Sequence, residues 1–313
     1  MLRYILMRVA ATLPVMAVVA LIVFLMLRLS PGDPAAVIAG DYATAEDIAR
    51  IREQLGLNEP IPYQFITWIG LLLQGNLGTS IFTNLPVTTL IAQRIEPTLM
   101  LTLTTIVFSV AVAVPLGAIA AWKAGSLIDR FVMLFSIAGF SVPVFVLGYV
   151  LIYVVSMKLN LLPVQGYRSP WEGIGPFLSH IALPTLTLSV IFIALIARMT
   201  RASAIEVLQE DYVRTAHAKG QNEFTILLRH VLANAAVPIV TVIGIGIALL
   251  IGGVVVTESV YNIPGLGRLV LDAVLARDYP IIQGLILFLS FFYILINLLI
   301  DISYAFLDPR IRY

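Results

Sequence analysis

Histidine and acidic residues are the side chains in this sequence that could act in acid–base catalysis or bind a metal ion. The chain has no cysteine. The lack of cysteine excludes disulfides, zinc–thiolate sites, iron–sulfur clusters and cysteine nucleophiles. The sequence also has no Gly-x-x-x-x-Gly-Lys-[Ser/Thr] phosphate loop, no His-Glu-x-x-His zinc motif and no Gly-x-Ser-x-Gly nucleophile motif. We therefore expect a chain that is not an enzyme by itself and that binds no metal or other cofactor.

Two titratable residues lie in or beside long apolar stretches. His180 has no second ligand nearby in the sequence, so we interpret it as a hydrogen-bonding residue in helix packing. Asp301 follows the last apolar stretch, where a hydrogen-bonding role at the membrane interface is favoured. Ion-coupled carriers usually place carboxylates or histidines near the membrane centre. Their scarcity here indicates that another subunit supplies the energy.

The segment 211–220 is the polar stretch whose pattern is most typical of a docking element. It predicts a short helix, with Asp211 as N-cap, Lys219 near the C-terminal end and Gly220 just beyond it. Asn222 is predicted to cap a second helix that begins near Glu223. A short rod held between two spans suits docking into a partner's groove. A solvated turn between helices is the alternative interpretation.

The composition places most of the chain in a lipid bilayer. Of 313 residues, 60% are hydrophobic and only 12% are charged, and the mean hydropathy is +0.98. Six charge-free stretches are long enough to cross a membrane as helices: 9–27, 97–122, 131–157, 173–197, 231–257 and 279–300. The net charge of +1 gives no reason to expect nucleic-acid binding.

A further charge-free stretch, 60–93, is not predicted to span the membrane. Its apolar part, 65–73, is short, and prolines and glycines interrupt the rest, which favours a loop with an interfacial helix. Upstream, Thr44 and Asp47 form a capping pattern that predicts a helix over 45–55. We interpret the first apolar stretch as an uncleaved anchor, because it is longer than a signal peptide's core.

The distribution of lysine and arginine predicts the orientation. Six spans place both termini on one side, and the segments on that side carry most of the positive charges outside the long 29–96 loop. Both termini and the loop 198–230 are therefore predicted to be cytoplasmic. The resulting division is 1–28 as tail and first span, 29–96 as an outer loop region with short helices, and 97–313 as a core of five transmembrane helices. In the fifth predicted span, Gly244, Gly246, Gly252 and Gly253 are expected to allow close helix packing rather than to line a pathway.

Several loop motifs resemble those of one transporter family. The motifs are Leu29-Ser30-Pro31-Gly32-Asp33-Pro34, Gly75-Asn76-Leu77-Gly78, the 211–220 segment, Glu258-Ser259-Val260-Tyr261, Pro264-Gly265-Leu266-Gly267-Arg268 and Arg277-Asp278-Tyr279-Pro280. In this order and spacing the chain resembles the first of the two permease subunits of ATP-binding-cassette (ABC) importers for dipeptides, oligopeptides, glutathione and nickel. The resemblance implies an all-α membrane protein with the type I ABC importer permease fold.

The resemblance also implies partners and sites. The partners would be a homologous second permease, two ABC ATPase subunits that carry ATP and Mg²⁺, and an extracytoplasmic solute-binding protein. The residues implied to dock onto an ATPase are Asp211, Tyr212, Val213, Arg214, Thr215, Ala216, His217, Ala218, Lys219 and Gly220. Arg214 and Thr215 occupy the places of the glutamate and the first alanine of the general permease motif, so a glutamate-specific contact is not implied. The residues expected to face the binding protein are Asp41, Tyr42, Asn76 and Thr79.

Other function classes stay open on the residues alone. An ion-coupled secondary transporter or channel would work without ATPase subunits. An intramembrane enzyme would need a paired catalytic group, and a membrane scaffold would need only binding surfaces. The sequence does not identify the solute.

Overall fold

The structure, a computed structural model, describes residues 2–29, 34–39, 43–54 and 56–307. Within these ranges the chain is helical, apart from loops and one isolated β-bridge between Thr79 and Pro86. The helices of the first half are α1 Leu2–Leu29, α2 Pro34–Ala39, α3 Ala45–Gln54, α4 Ile61–Leu73, α5 Val87–Trp122, α6 Leu127–Ser141 and α7 Val144–Lys158. Those of the second half are α8 Ile174–Leu208, α9 Asp211–Ala218, α10 Glu223–Leu232, α11 Ala236–Val260, α12 Leu266–Ala276 and α13 Tyr279–Leu307.

Four of these helices are individually long and apolar enough to cross a membrane: α1, α5, α8 and α13. Two further pairs pass the same test only when each pair is counted as one span. They are α6 with α7, bent by 101°, and α10 with α11, bent by 64°. The described residues therefore provide four to six candidate spans.

The sequence predicts one span over 131–157, and the chain bends sharply inside this stretch. Val142 is extended, with ψ 121°, and the next residue is Pro143. A proline disfavours helical geometry at the residue before it and has no N–H to donate. The helix therefore ends at Ser141, and α7 begins in a new direction.

The stretch 60–93 contains a short apolar helix, α4, of 13 residues. This helix is too short to cross a bilayer, as the sequence predicted. The predicted helix over 45–55 is also present as α3, with Leu55 outside the described residues. The Thr44 hydroxyl accepts from the Asp47 N–H at 3.2 Å and donates to the Asp47 carboxylate at 2.7 Å, which confirms the predicted cap and lowers the pKa of Asp47.

The chain divides into two compact units. One, the core unit, comprises Pro97–Pro264 and the described residues from Ile296 to Leu307. The other, the N-terminal unit, comprises Leu2–Glu96 and Gly265–Leu295.

In the core unit, α8 is the central helix, and small residues let its neighbours approach closely. A Cβ on Gly117 of α5 would lie 2.5 Å from the carbonyl oxygen of Ala197, and one on Gly139 of α6 would lie 3.2 Å from the Cβ of Ala194. Gly246 of α11 packs similarly against Phe192 of α8, and Gly244 against Ile300 of α13. The packing role predicted for these two glycines is confirmed, while the surroundings of Gly252 and Gly253 lie outside the described part of the chain.

In the N-terminal unit, α4 packs on the end of α1 through aromatic rings. The Phe24 ring lies 5.0 Å from that of Phe65, edge to face. Arg28 donates to the Gln64 side chain at 2.9 Å, and its guanidinium covers the Phe24 ring. The side chain of Gln283 on α13 donates to the carbonyl of Val23 at 2.9 Å, so α13 is also attached to α1.

Candidate functional site

The 211–220 segment forms α9, an eight-residue helix about 12 Å long at the ~1.5 Å rise of an α-helix. The predicted N-cap is wrong by one residue, because Glu210 and not Asp211 has the extended backbone that precedes the helix. The helix α8 ends at Leu208, and the chain needs only a two-residue turn before the new helix starts. Asp211 lies in the first turn, where its carboxylate still interacts favourably with the helix dipole, and it accepts from Arg214 at 3.2 Å.

The C-terminal end of α9 agrees with the prediction. Lys219 is the C-cap residue, and Gly220 follows with φ +71°, in the left-handed region that favours glycine. The Gly220 N–H donates to the His217 carbonyl at 2.9 Å, and the Gln221 N–H donates to the Ala216 carbonyl at 3.3 Å. The last carbonyl groups of α9 are therefore hydrogen-bonded by the residues that directly follow the helix.

The two sides of α9 have opposite environments. Val213 and Ala216, three residues apart and hence on one face, are buried, while the other eight residues of 211–220 are exposed. The buried pair packs in a hydrophobic cluster with Ala118 and Ala121 of α5, Ala204 of α8, and Ile226, Leu227 and Val231 of α10. The inner face thus attaches the helix to the rest of the core unit, and the outer face is available to a partner.

The helix α10 also contacts the C-terminal end of α9. Asn222 caps it as predicted, because its side chain accepts from the Phe224 N–H at 2.9 Å. The imidazole of His217 lies 3.1 Å from the Glu223 carboxylate, which joins the end of α9 to the start of α10. Phe224 and Leu228 on α10 are exposed and add an apolar border to the polar surface of α9.

The exposed surface of α9 can form hydrogen bonds and ion pairs with a partner. Arg214 and Asp211 are both highly exposed, and the Tyr212 side chain is partly covered. Partial burial, and then the negative charge of Glu210, raise the pKa of Tyr212, so its phenol is a neutral donor at physiological pH. Among the described residues there is no group of three His, Asp or Glu side chains that could hold a metal ion.

His180 is a hydrogen-bonding residue, as the sequence predicts, and the partners found lie in its own helix and not in a neighbouring one. His180 Nδ1 lies 2.8 Å from the Pro176 carbonyl and 3.2 Å from the Ser179 hydroxyl, both within α8. Asp301 lies half-buried near the end of α13.

Two of the residues expected to face a binding protein lie on one small loop of the N-terminal unit. The Asn76 side chain accepts from the Gly78 N–H at 2.9 Å, and Thr79 forms the bridge to Pro86; both residues are exposed. The other two, Asp41 and Tyr42, lie outside the described residues. Beneath the loop, the buried Ser80 hydroxyl donates to the Asp278 carboxylate at 2.6 Å, a contact across 198 positions that the sequence did not predict.

Three further buried polar contacts in the core unit were not predicted. The Thr98 hydroxyl donates to Glu258 at 2.6 Å, and the Tyr261 hydroxyl lies 2.8 Å from that of Thr187. Asp129 pairs with Arg201, which the sequence indicated only as a positive charge beside a span. The one local signal was Ser126, three residues before Asp129, because this spacing is typical of a helix start.

The sequence of this chain is similar to those of known transport proteins. Residues 113–313 match the family model "Binding-protein-dependent transport system inner membrane component", and residues 1–105 match the corresponding N-terminal model. The chain is 56% identical over 310 residues to the "Probable peptide ABC transporter permease protein y4tP" of Sinorhizobium fredii, with 99% of each chain covered. It is 45% identical over 313 residues to the "Glutathione transport system permease protein GsiC" of Escherichia coli, with 100% of each covered.

A solved structure shares the fold. It is an inward-facing conformation of the MetNI methionine ABC transporter, with a TM-score of 0.58 and 17% identity, covering 71% of this chain and 97% of the other. The helical architecture is therefore that of an ABC importer permease. With its apolar helices and full-length relatives, the chain is a multi-pass inner-membrane protein that belongs to the family of binding-protein-dependent transport system permeases.

Proposed function

We propose that this chain forms half of the translocation pathway of an ATP-driven importer for peptides or related small solutes such as glutathione. The proposal is supported by relatives described as peptide and glutathione permeases, which match over essentially the whole chain. The other half of the pathway would come from a homologous second permease. This chain would itself be non-catalytic.

The segment 211–220 is the proposed coupling site. The observation that carries this assignment is the division of α9 into a buried face, Val213 and Ala216, and an exposed face made of the other eight residues. A helix anchored on one side to α5, α8 and α10 transmits a push from the other side to all three. Two ATPase subunits, which would hold ATP and Mg²⁺, would supply the push from the cytoplasm.

The proposed topology has six spans and both termini in the cytoplasm. It treats each bent helix pair as one crossing, which places 211–220 on the same side as the N-terminus. The lysine and arginine residues of 198–230 favour the cytoplasmic side for this loop. The outer region 29–96, with Asp41, Tyr42, Asn76 and Thr79, would then face the solute-binding protein, and 97–313 would form the permease core.

Reconstitution tests the transport function. The chain is purified alone and with its second permease, ATPases and binding protein, and uptake of labelled glutathione, a dipeptide and a tripeptide is measured in liposomes. We expect ATP-dependent uptake of at least one probe by the complete complex. Uptake by the chain alone, driven by an ion gradient, would contradict the proposal and favour a secondary transporter.

Gly220→Val tests the coupling site. A valine strains a backbone held at φ +71°, although no atom lies within 4 Å of the added Cβ, so the substitution acts on the end of α9 and not on core packing. We expect transport per ATP hydrolysed to fall about tenfold, or the ATPases to dissociate. The matched control is Gly56→Val, because Gly56 has φ +64° and equally open surroundings, and it lies outside both the segment and the loop of Asn76 and Thr79. Unchanged coupling in Gly220→Val would contradict the assignment.

A further inference from the structure

A bidentate ion pair joins the start of α6 to the end of α8. The Nη2 of Arg201 donates to Oδ2 of Asp129 at 2.8 Å, and Nε donates to Oδ1 of the same carboxylate. The Asp129 side chain is only 5% exposed and that of Arg201 is 25% exposed. The backbone N–H of Gly125 donates to the same carboxylate at 2.9 Å, so three hydrogen bonds from two residues hold Asp129.

The role of this pair is better explained by the helix arrangement that it fixes than by a contribution to the stability of the fold. Removing both charges from water costs about as much free energy as their attraction returns, so a buried pair is weak evidence for a stabilising role. The forked guanidinium–carboxylate contact does, however, fix the distance and the angle between the two groups.

Arg201 lies one turn before Ala204, which packs with Val213 and Ala216 of α9. On the same face of α8, one to two turns before Ala204, Gly117 of α5 lies against Ala197 and Thr200. The end of α8 is thus held tightly, and the anchored face of α9 rests on it. A displacement of α9 towards α8 would therefore reach Arg201.

A second contact makes α6 and α8 an antiparallel pair. Near the other end of α6, Gly139 packs closely on Val190 and Ala194. With the ion pair at one end and this contact at the other, α6 cannot tilt independently of α8. Beyond Pro143 the chain turns by 101° into α7, so a tilt of α6 swings α7 sideways.

We propose that Asp129 is a positioning residue for coupling: through Arg201 it makes the bent α6–α7 pair follow the 211–220 segment when the ATPases move it. This inference rests on the proposed coupling function of that segment. It adds a specific route from the docking helix to a helix pair that does not contain it.

The test uses the complete transporter and the Asp129→Asn variant, which keeps the side-chain shape but removes the charge. We expect assembled complexes to hydrolyse ATP while uptake of labelled glutathione or tripeptide, whichever the wild type transports, falls about tenfold per ATP. The double variant Asp129→Arg with Arg201→Asp exchanges the two charges and should restore part of the uptake per ATP hydrolysed. A purely structural role would lower the amount of assembled complex and leave the ratio unchanged, which would overturn the proposal.

The matched control is Glu172→Gln, which removes a carboxylate from the exposed Arg168–Glu172 pair, 3.4 Å apart. The uptake per ATP hydrolysed by Glu172→Gln should equal that of the wild type. A His217→Cys cross-link to an ATPase separates the two hypotheses. If the cross-link does not form in the wild-type background, the coupling assignment fails; if it forms and Asp129→Asn keeps a normal ratio, only the present inference fails.

A measurement without Asp129 variants covers the case in which they do not assemble. Spin labels on Leu127→Cys, at the exposed start of α6, and on His217→Cys, on α9, report the distance between the two elements. We expect this distance to stay constant between the nucleotide-free and ATP-bound transporter. A change with nucleotide would show that α6 does not follow α9 and would overturn the proposal.

Discussion

Buried hydrogen bonds explain the role of two residues that the sequence shows only as part of a motif. Glu258 and Tyr261 lie in one four-residue motif at the C-terminal end of α11, and both are buried. Glu258 binds Thr98 of α5, whereas Tyr261 binds Thr187 of α8 and the Gly148 carbonyl of α7. The motif therefore joins the C-terminal end of α11 to three other helices. No sequence pattern reveals these partners, because they are 74 to 160 positions away.

Replacing Tyr261 with Phe should destabilise the core unit modestly. The Tyr261 hydroxyl donates to the Gly148 carbonyl at 3.3 Å and contacts the Thr187 hydroxyl at 2.8 Å, while the Thr187 hydroxyl also donates to the Leu183 carbonyl at 2.9 Å. Removing the Tyr261 hydroxyl costs on the order of 1 kcal/mol of unfolding free energy, since the remaining groups keep other partners. Thermal unfolding in detergent measures the effect. Tyr149→Phe, at an exposed position of α7, is the control and should not change the melting temperature.

At the scale of elements, local signals predicted the helix ends well and the path between helices poorly. The caps at Thr44, Asn222 and Gly220 are confirmed because each depends on residues within a few positions. Prolines are less informative: Pro184 lies inside the continuous α8, whereas Pro143 separates two helices bent by 101°. Which proline breaks a helix depends on the packing around it, because neighbouring groups in a membrane protein can satisfy the freed carbonyl.

Helix contact at Gly117 should be sensitive to one added methyl group. In Gly117→Ala the new Cβ would lie 2.5 Å from a backbone oxygen and 2.7 Å from the Thr200 Cβ, so α5 and α8 must separate. Overpacking of this kind costs about 1–3 kcal/mol. We expect a lower melting temperature and weaker coupling. Gly175→Ala, also in α8 but with open space around its Cβ, should instead be neutral or slightly stabilising; equal effects of both variants would contradict the packing argument.

At the scale of the whole molecule, composition alone identified a helical membrane protein, and the family matches bear this out. The number of crossings is harder to predict because it depends on the bent pairs. If α6 and α7 cross the bilayer together, four crossings precede 211–220, and this segment lies on the side of the N-terminus. If the pair returns to the side it entered from, only three crossings precede it, and the coupling segment would be on the opposite side.

Cysteine labelling decides between these topologies, and the cysteine-free chain needs no prior substitution. Single cysteines replace exposed residues before the α6–α7 pair (Ala124), after it (Trp171) and after α9 (Gln221). We expect a membrane-impermeant reagent applied to intact cells to label Trp171→Cys only, and a permeant reagent to label all three. The charge distribution favours this result, because positive residues are retained on the cytoplasmic side. If Ala124→Cys and Trp171→Cys react from the same side, the pair does not cross, and the six-span topology is wrong.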